Sequence, residues 1–305
     1  MTDRKLVAPI EPGQPFEGTL VRAASDVGAV RDENQDFMGW FTKGSRQLLV
    51  VCDGMGGHSG GYEASRLAVK ALGELFAESS EADPPIALLR RALQTANRRV
   101  FEEAARKTRL RGMGSTAVVA LVEGDQAWIA HVGDSRAYLV RRGQAERLTR
   151  DHTQVNRLVA AGLIPEDEAD HHPLGHILDR SIGSAASVDV EVRPEPLKLQ
   201  PHDRLLLCSD GYCGLVEDHE IGVQLEASHE LAHALQEGID LALSRGGPDN
   251  ITLAALERIG SGKAPSALPG RPRPKQAAQA STGGLLGVAL VLLLLLGAAW
   301  WMLSL

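Results

Sequence analysis

Short apolar runs alternate with longer segments of helical periodicity between residues 16 and 258. Runs rich in Val, Ile and Leu predict β-strands, and apolar residues spaced three or four positions apart predict amphipathic helices. The predicted strands are Gln47–Cys52, Ser115–Val122, Ala127–Val132, Arg136–Val140, Arg204–Ser209 and Ile251–Leu256. The predicted helices are Tyr62–Phe76, Pro85–Lys107 and Leu231–Arg245. Strand hairpins separated by long helices predict an α+β fold, in which helices cover antiparallel sheets.

Turn residues support this arrangement. Glu123–Gln126 and Arg142–Gln144 each carry a glycine between apolar runs and predict tight turns. The stretch Gln154–Ser184 is polar, rich in His and broken by glycine. We therefore expect it to form an irregular insertion close to a functional site.

The C-terminal segment Leu285–Leu305 has 21 residues and no charge. As a helix it spans roughly 30 Å, the thickness of a bilayer core, and it predicts one transmembrane helix. Trp300 and Trp301 are residue types that favour the membrane interface. The alternative is a buried core helix, but a helix of a globular protein normally has a polar face.

The flanks of this segment predict its orientation. Residues 259–284 are rich in Gly, Pro and Ala, which is typical of a flexible linker. Arg271, Arg273 and Lys275 precede the apolar segment, and basic flanks stay in the cytoplasm. Residues 1–15 have no apolar stretch, so we expect a flexible N-terminus and no signal peptide. The interpretation is a single-pass protein of the cytoplasmic membrane whose catalytic domain, residues 16–258, lies in the cytoplasm.

Composition narrows the class of protein. The 305 residues are 44% hydrophobic and 23% charged, as in ordinary globular proteins. The formal net charge of −7 argues against nucleic acid as the main partner, because phosphate backbones attract basic surfaces. Three widely spaced cysteines suggest no disulfide framework and fit a reducing cytosol.

Five acidic motifs lie beside predicted strands or glycine turns. They are RDENQD ending at Asp36, VCDG with Asp53, HVGDSR with Asp134, CSDG with Asp210, and PDNIT with Asp249. A single Asp-Gly pair is most simply a turn. Five carboxylates brought together at the rim of a sheet would instead concentrate negative charge, which a buried site tolerates only with bound cations. All-oxygen ligands favour Mg²⁺ or Mn²⁺.

In this order, the motifs RDENQD, VCDGMGGHSGG, GSTA, HVGDSRAYLV, DH, CSDG and PDNIT resemble the metal-dependent protein phosphatases of type 2C. The bacterial serine/threonine members are the most similar, and the resemblance covers about Thr19 to Leu256. It implies a four-layer sandwich of two antiparallel sheets flanked by helices. The metal centre of this family lies between the sheets.

The resemblance also implies a role for each matched residue. Asp53 corresponds to the carboxylate that bridges two metal ions, and the carbonyl group of Gly54 to a ligand of the second. Asp210 and Asp249 correspond to ligands of the first metal, and Asp134 to a ligand of a third metal. Further matches are Asp36, which acts on the metals directly or through water, and Arg31, which holds the substrate phosphate.

The implied reaction is hydrolysis of phosphoserine and phosphothreonine by a water that the metals activate. Two ions about 3.5–4 Å apart lower the pKa of this water, and Arg31 shares in stabilising the phosphate charge. The expected partners are phosphorylated proteins and a bacterial-type serine/threonine kinase whose action the enzyme opposes. Membrane attachment would raise its concentration near such partners.

The sequence departs from the family pattern at two positions. Gln35 stands where many members have Glu, which implies weaker or more water-mediated binding of the second metal. Met55 stands where some members have a His that protonates the leaving group. His58 is a candidate substitute, with a metal-bound water as the alternative.

The sequence leaves two alternative functions and one additional metal site to be considered. A pseudophosphatase that binds a ligand would be expected to lose metal-ligating Asp residues, which are intact here. A metal-dependent phosphodiesterase or nuclease would use similar ions, but the acidic balance disfavours it. A zinc site at His171, His172 and His176 is a further alternative.

Overall fold

The computed structural model describes residues 16–260 apart from 166–167, 169–171 and 173, and for residues 58 and 59 it describes the backbone alone. Within these residues the strands are β1 (Thr19–Asp26), β2 (Asp36–Lys43), β3 (Arg46–Met55), β4 (Gly114–Ser115), β5 (Ala117–Glu123), β6 (Gln126–Val132), β7 (Arg136–Arg141), β8 (Gln144–Arg147), β9 (Glu191–Val192), β10 (Leu197–Lys198), β11 (Arg204–Cys208) and β12 (Ile251–Arg258). The helices are α1 (Gly57–Glu78), α2 (Pro85–Arg106), α3 (Gln154–Ala160), α4 (Asp210–Cys213), α5 (Asp218–Ala227) and α6 (Leu231–Ser244), and a 3-10 turn covers Thr108–Leu110.

The strands form two sheets, and the strand pairs within them are antiparallel. The five-stranded sheet has the order β1-β12-β11-β7-β8. The seven-stranded sheet has the order β10-β6-β5-β3-β2, with β4 paired to the end of β3 and β9 paired to β6. β3 and β12 are interior strands, so both of their edges are hydrogen-bonded.

Three hydrophobic cores lie between four layers. One core joins α1 and α2 to the seven-stranded sheet, through residues such as Leu72, Leu93 and Val119. A second lies between the two sheets and includes Val51 and Leu207. The third joins α4, α5 and α6 to the five-stranded sheet. The α+β prediction of two antiparallel sheets flanked by helices is confirmed.

The six predicted strands are present with small shifts of their ends, but one of them is divided. The segment Ser115–Val122 forms the end of β4 and most of β5, separated at Thr116. The register continues across the break, since the Thr116 amide still donates to the Asp53 carbonyl oxygen at 2.8 Å. The ladder is interrupted because the Asp53 amide donates to Thr116 Oγ1 at 2.9 Å and not to a backbone carbonyl. The predicted helix Tyr62–Phe76 also begins earlier, at Gly57.

Several elements escaped the sequence analysis. β1 and β2 mix polar and apolar residues, and each is completed by its long-range partner, β12 or β3. α5 has few apolar residues, but Glu217 and Glu220 form a capping box at its start. The stretch Gln154–Ser184, predicted to be irregular, contains α3, which Thr153 caps.

The predicted N-terminal segment 1–15 and transmembrane helix Leu285–Leu305 lie outside the described residues, as does the linker apart from residues 259 and 260. Among the residues that are described, no helix is long and apolar enough to cross a membrane.

Candidate metal centre

Both sheets deliver carboxylates to one rim of the sandwich. Asp36 is the first residue of β2, and Asp53 lies near the end of β3. Asp134 is in the loop between β6 and β7, Asp210 opens α4 directly after β11, and Asp249 precedes β12. Burial raises the pKa of Asp53, and the charges of the other four carboxylates add to the rise, so the five groups lie close together. The structure therefore brings together the five carboxylates singled out in the sequence.

Asp36 connects the two halves of this centre. It is only 1% exposed and pairs directly with Asp53 across β2 and β3. Ser209, which precedes Asp210 on the opposite sheet, donates a hydrogen bond from Oγ to Asp36 Oδ2 at 2.7 Å. The amide of Thr252 donates to Ser209 Oγ at 3.0 Å. This polar chain fixes β2 against β11 and β12 at the level of the carboxylates.

Gly54 follows Asp53 at a point where no side chain fits. A Cβ atom there would lie 2.0 Å from the carbonyl oxygen of Gly61 and 2.7 Å from that of Gln35. The Gly54 amide donates to the Gln35 carbonyl oxygen at 3.1 Å, and Gln35 Nε2 donates to the Gly57 carbonyl oxygen at 3.1 Å. The side-chain amide of Gln35 thus anchors the start of α1.

Asn250 holds the loop that carries Arg31. Its Nδ2 donates to the carbonyl oxygens of Val27 and Glu33 at 2.8 and 3.0 Å, and its Oδ1 accepts from the Gln35 amide at 2.8 Å. Sequence analysis did not single out this residue, although it lies within the PDNIT motif. Arg31 is exposed and donates from Nη2 to Asp249 Oδ2 at 2.7 Å. The arginine therefore lies at the open edge of the centre.

The carboxylates of the centre are buried close to one another, and both conditions disfavour their charged forms. Burial raises the pKa of Asp36 to about 7, against the hydrogen bond from Ser209, and the charges of Asp210 and Asp249 add to the rise. Burial and the neighbouring carboxylates also raise the pKa values of Asp53, Asp134 and Asp210. Like charges crowded in a poorly solvated place disfavour ionisation. A bound cation would remove this penalty.

Two unpaired atoms indicate where cations fit. Among the described residues, the buried side-chain atoms without a hydrogen-bond partner are Asp36 Oδ1, Asp210 Oδ1 and Arg193 Nε. Two of these three are carboxylate oxygens of the centre. Buried polar atoms are normally paired, and the donor set is entirely oxygen. The residues present therefore fit Mg²⁺ or Mn²⁺.

A cavity of about 470 Å³ adjoins the centre. It is lined by Asp134 and Asp210, by Gly175 and His176 of the predicted insertion, and by residues 217–219 at the start of α5. The insertion is thus beside the site, as predicted. The cavity gives a bound molecule access to the carboxylates from one side.

Two predicted histidine roles stay predictions. The side chain of His58 and the whole of His171 lie outside what the structure describes. His172 Nδ1 accepts a hydrogen bond from the Leu174 amide at 3.1 Å, and His176 lies at the cavity.

Comparisons with known proteins agree with this geometry. The sequence model of the family described as protein phosphatase 2C matches residues 29–240. A serine/threonine phosphatase, stp, from Listeria welshimeri is 37% identical over 238 residues, which are 77% of this chain and 94% of the relative.

Solved structures give the same result. The S. agalactiae serine/threonine phosphatase aligns with a TM-score of 0.74 and 36% identity, over 79% of this chain and 100% of that one. The catalytic domain of the serine/threonine protein phosphatase PstP, in complex with two manganese ions, aligns with a TM-score of 0.67 and 34% identity. That alignment covers 79% of this chain and 99% of the other.

Proposed function

This chain belongs to the protein phosphatase 2C family, and from that premise we propose how its residues hydrolyse phosphoserine and phosphothreonine in proteins. It is a metal-dependent protein serine/threonine phosphatase, a hydrolase of phosphoric monoesters. The observation that carries the assignment is the meeting of five carboxylates from two sheets around unpaired buried oxygens.

The metal-binding groups are the side chains of the carboxylate set and one backbone carbonyl. Asp53 and the Gly54 carbonyl would hold metal together with Asp210 and Asp249. Asp134 would hold a third ion, and Asp36 would act on the ions directly or through water. Mn²⁺ or Mg²⁺ bound here neutralises the carboxylates and supplies a water of lowered pKa as the nucleophile.

Arg31 binds the phosphate of the substrate. Within the described part of the chain its only hydrogen bond goes from Nη2 to Asp249, which leaves Nε and Nη1 for phosphate oxygens. A planar guanidinium donates two parallel hydrogen bonds to such oxygens, so it orients the phosphate as well as attracting it. Arg31 is exposed at the edge of the centre, where a phosphorylated side chain can reach it.

The test is phosphate release from a phosphothreonine peptide by the full chain in detergent, with Mn²⁺, with Mg²⁺ and with chelator. We expect release with either metal and none with chelator. Asp53→Asn should abolish release, while Asp125→Asn, an isosteric change in the exposed β5–β6 turn, should not. Equal release by wild type and Asp53→Asn would refute the assignment. Faster turnover of a phosphodiester than of the peptide would favour the phosphodiesterase instead.

We also propose that Leu285–Leu305 anchors the enzyme in the cytoplasmic membrane, with the catalytic domain in the cytoplasm. The support is the uncharged 21-residue segment and the basic residues Arg271, Arg273 and Lys275 before it. Attachment would favour phosphoproteins made by a membrane-associated serine/threonine kinase. The full chain should stay in carbonate-washed membranes, and a chain ending at residue 284 should not. Recovery of both in the supernatant would refute the anchor.

A further inference from the structure

A second cluster of ligand-type side chains lies behind the Asp134 loop. His131 and His152 are buried and stack with ring centroids 4.3 Å apart and planes 17° apart. His152 Nε2 lies 3.1 Å from Glu191 Oε2. The three side chains offer ligand atoms within 4.8 Å of one another, which is close enough for a metal ion.

The hydrogen bonds of the cluster disfavour a metal. The Gly133 amide donates to His152 Nδ1 at 3.1 Å, so the proton of the neutral ring lies on Nε2 and is donated to Glu191. A metal at Nε2 would require this ring to lose its last proton. His131 Nε2 donates to the Arg150 carbonyl oxygen at 2.8 Å and is also occupied. Parallel rings, moreover, do not aim their lone pairs at one point.

The same contacts give His152 a different role. Its own amide donates to the Gly133 carbonyl oxygen at 3.0 Å, while its Nδ1 accepts from the Gly133 amide. His152 therefore forms hydrogen bonds with both the amide and the carbonyl group of Gly133, the residue directly before Asp134. Gly133 has a φ of +104°, and a Cβ there would lie 2.7 Å from Thr116 Cγ2, so the loop needs glycine and an external restraint.

The other side of the loop is tied to the bridging carboxylate. Ser135 Oγ lies 2.7 Å from Thr116 Oγ1, and Thr116 Oγ1 accepts from the amide of Asp53 at 2.9 Å. Asp134 is thus flanked by Gly133, which His152 holds, and by Ser135, which is linked to Asp53. Within the described part of the chain, the hydrogen bond that reaches the Asp134 carboxylate comes from its own amide, so the position of the carboxylate depends on the backbone.

We propose that His152 is a positioning residue for Asp134, and that Glu191 and His131 fix the tautomer and orientation of its ring. The proposal rests on the proposed function, in which Asp134 holds the third metal ion. It also gives a role to the Asp151-His152 motif, whose histidine touches no predicted ligand directly. Partners that orient a ligand typically change metal affinity about 10–100-fold when they are removed.

The experiment is a calorimetric titration of the metal-free full chain, in detergent, with Mn²⁺. We expect three ions in the wild type and a loss of the weakest in Asp134→Asn. His152→Leu should weaken that ion about tenfold and leave the other two unchanged. His152→Asn should lie close to wild type, because its side-chain oxygen replaces the Nδ1 acceptor. The double variant His152→Leu with Asp134→Asn should match Asp134→Asn alone.

Controls separate positioning from folding and from the proposed function. His233→Leu on the exposed face of α6 should bind as wild type does. An unchanged weakest site in His152→Leu, or only two ions in the wild type, would overturn the proposal. So would an equal weakening of all sites with a lower Tm of the metal-free variant. A wild type that binds three ions but releases no phosphate would refute the phosphatase and leave the positioning role intact.

Discussion

Among the residues that the structure describes, two groups of buried carboxylates differ in their hydrogen-bond partners. Asp151 accepts hydrogen bonds from Arg136 Nε at 3.1 Å and Nη2 at 2.8 Å, and it also pairs with Arg147. Asp203 accepts from Arg141 Nε and Nη2 at 2.8 and 2.6 Å. In the metal centre, by contrast, Asp36 and Asp210 each keep one buried oxygen with no partner.

The difference separates carboxylates that stabilise the fold from those kept for function. Arginine side chains donate hydrogen bonds to both carboxylate oxygens of Asp151 and of Asp203, so each carboxylate stabilises the fold through a paired charge. In the centre, Arg31 lies at the exposed edge, and the buried carboxylates raise one another's pKa values. A protein tolerates such frustration where function needs it. Substitutions in the two groups should therefore have opposite effects on stability and activity.

The largest effect is expected from Asp210→Asn. Loss of a metal-binding carboxylate should reduce phosphate release by about 10³-fold or more, a size typical of losing a group that stabilises charge in the transition state. The metal-free variant should be at least as stable as wild type, because one repelling charge is gone. Steady-state kinetics and urea unfolding in chelator measure both. A metal-free variant that is clearly less stable would break the contrast between the two groups.

Asp151→Ala should do the reverse. It leaves the largely buried Arg136 without its carboxylate, and breaking a buried pair costs about 3–5 kcal/mol of unfolding free energy. Asp189→Ala is the matched control, since its carboxylate is 82% exposed and its pair with Arg180 should contribute about 0–1 kcal/mol. Similar urea midpoints for the two variants would mean that Asp151 is not a structural contact.

Metal binding should neutralise the carboxylates of the centre and thereby increase the unfolding free energy of the protein. Mn²⁺ at 100 times its dissociation constant adds about 2.7 kcal/mol to the unfolding free energy for each site. The gain should be visible as a rise in Tm on adding Mn²⁺ to chelated protein, and it should shrink in Asp210→Asn. An equal rise in both proteins would place the stabilising ion elsewhere.

The smallest effect concerns pH. Burial and the neighbouring His152 lower the pKa of His131 to about 4, against the opposing influence of Arg150, Glu191 and Asp151. The unfolded chain therefore takes up this proton first, and the stability due to neutral His131 is lost as pH falls below about 6.5. Between pH 7 and pH 5 the loss is about 2 kcal/mol. Urea unfolding of wild type and His131→Phe should differ in pH slope by this amount; parallel slopes would contradict the expected shift.

The sequence predicted which carboxylates meet at the centre better than it predicted the bounds of the strands that carry them. Strand β3 was expected to end at Cys52, because Asp and Gly disfavour strands. It continues to Met55, since β2 pairs as far as Asp53 and β4 pairs with Gly54 and Met55. The motif therefore identified the carboxylate, but the pairing that positions it depends on segments distant along the chain.

The same limit explains the residues that were missed. Ser209 lies inside the CSDG motif, yet its contact is with Asp36 on the other sheet. His152 follows Asp151 in a recognisable motif, but its partner Gly133 belongs to another loop. No periodicity or spacing encodes such contacts, because they arise only when the two sheets pack. Local patterns thus predicted the carboxylates that meet at the centre and not the residues that hold them in place.

The placement of Asp249 has a consequence for the timing of activity during synthesis. It precedes β12, which inserts between β1 and β11, so the five-stranded sheet is incomplete until this strand has left the ribosome. A nascent chain that has folded its first 200 residues has Asp36, Asp53 and Asp134 but lacks Asp210 and Asp249. Such a chain lacks two of the carboxylates proposed to hold metal, so we expect it to release no phosphate from the proteins around it. We therefore expect hydrolysis to begin only when the catalytic domain, through β12, has been synthesised and folded.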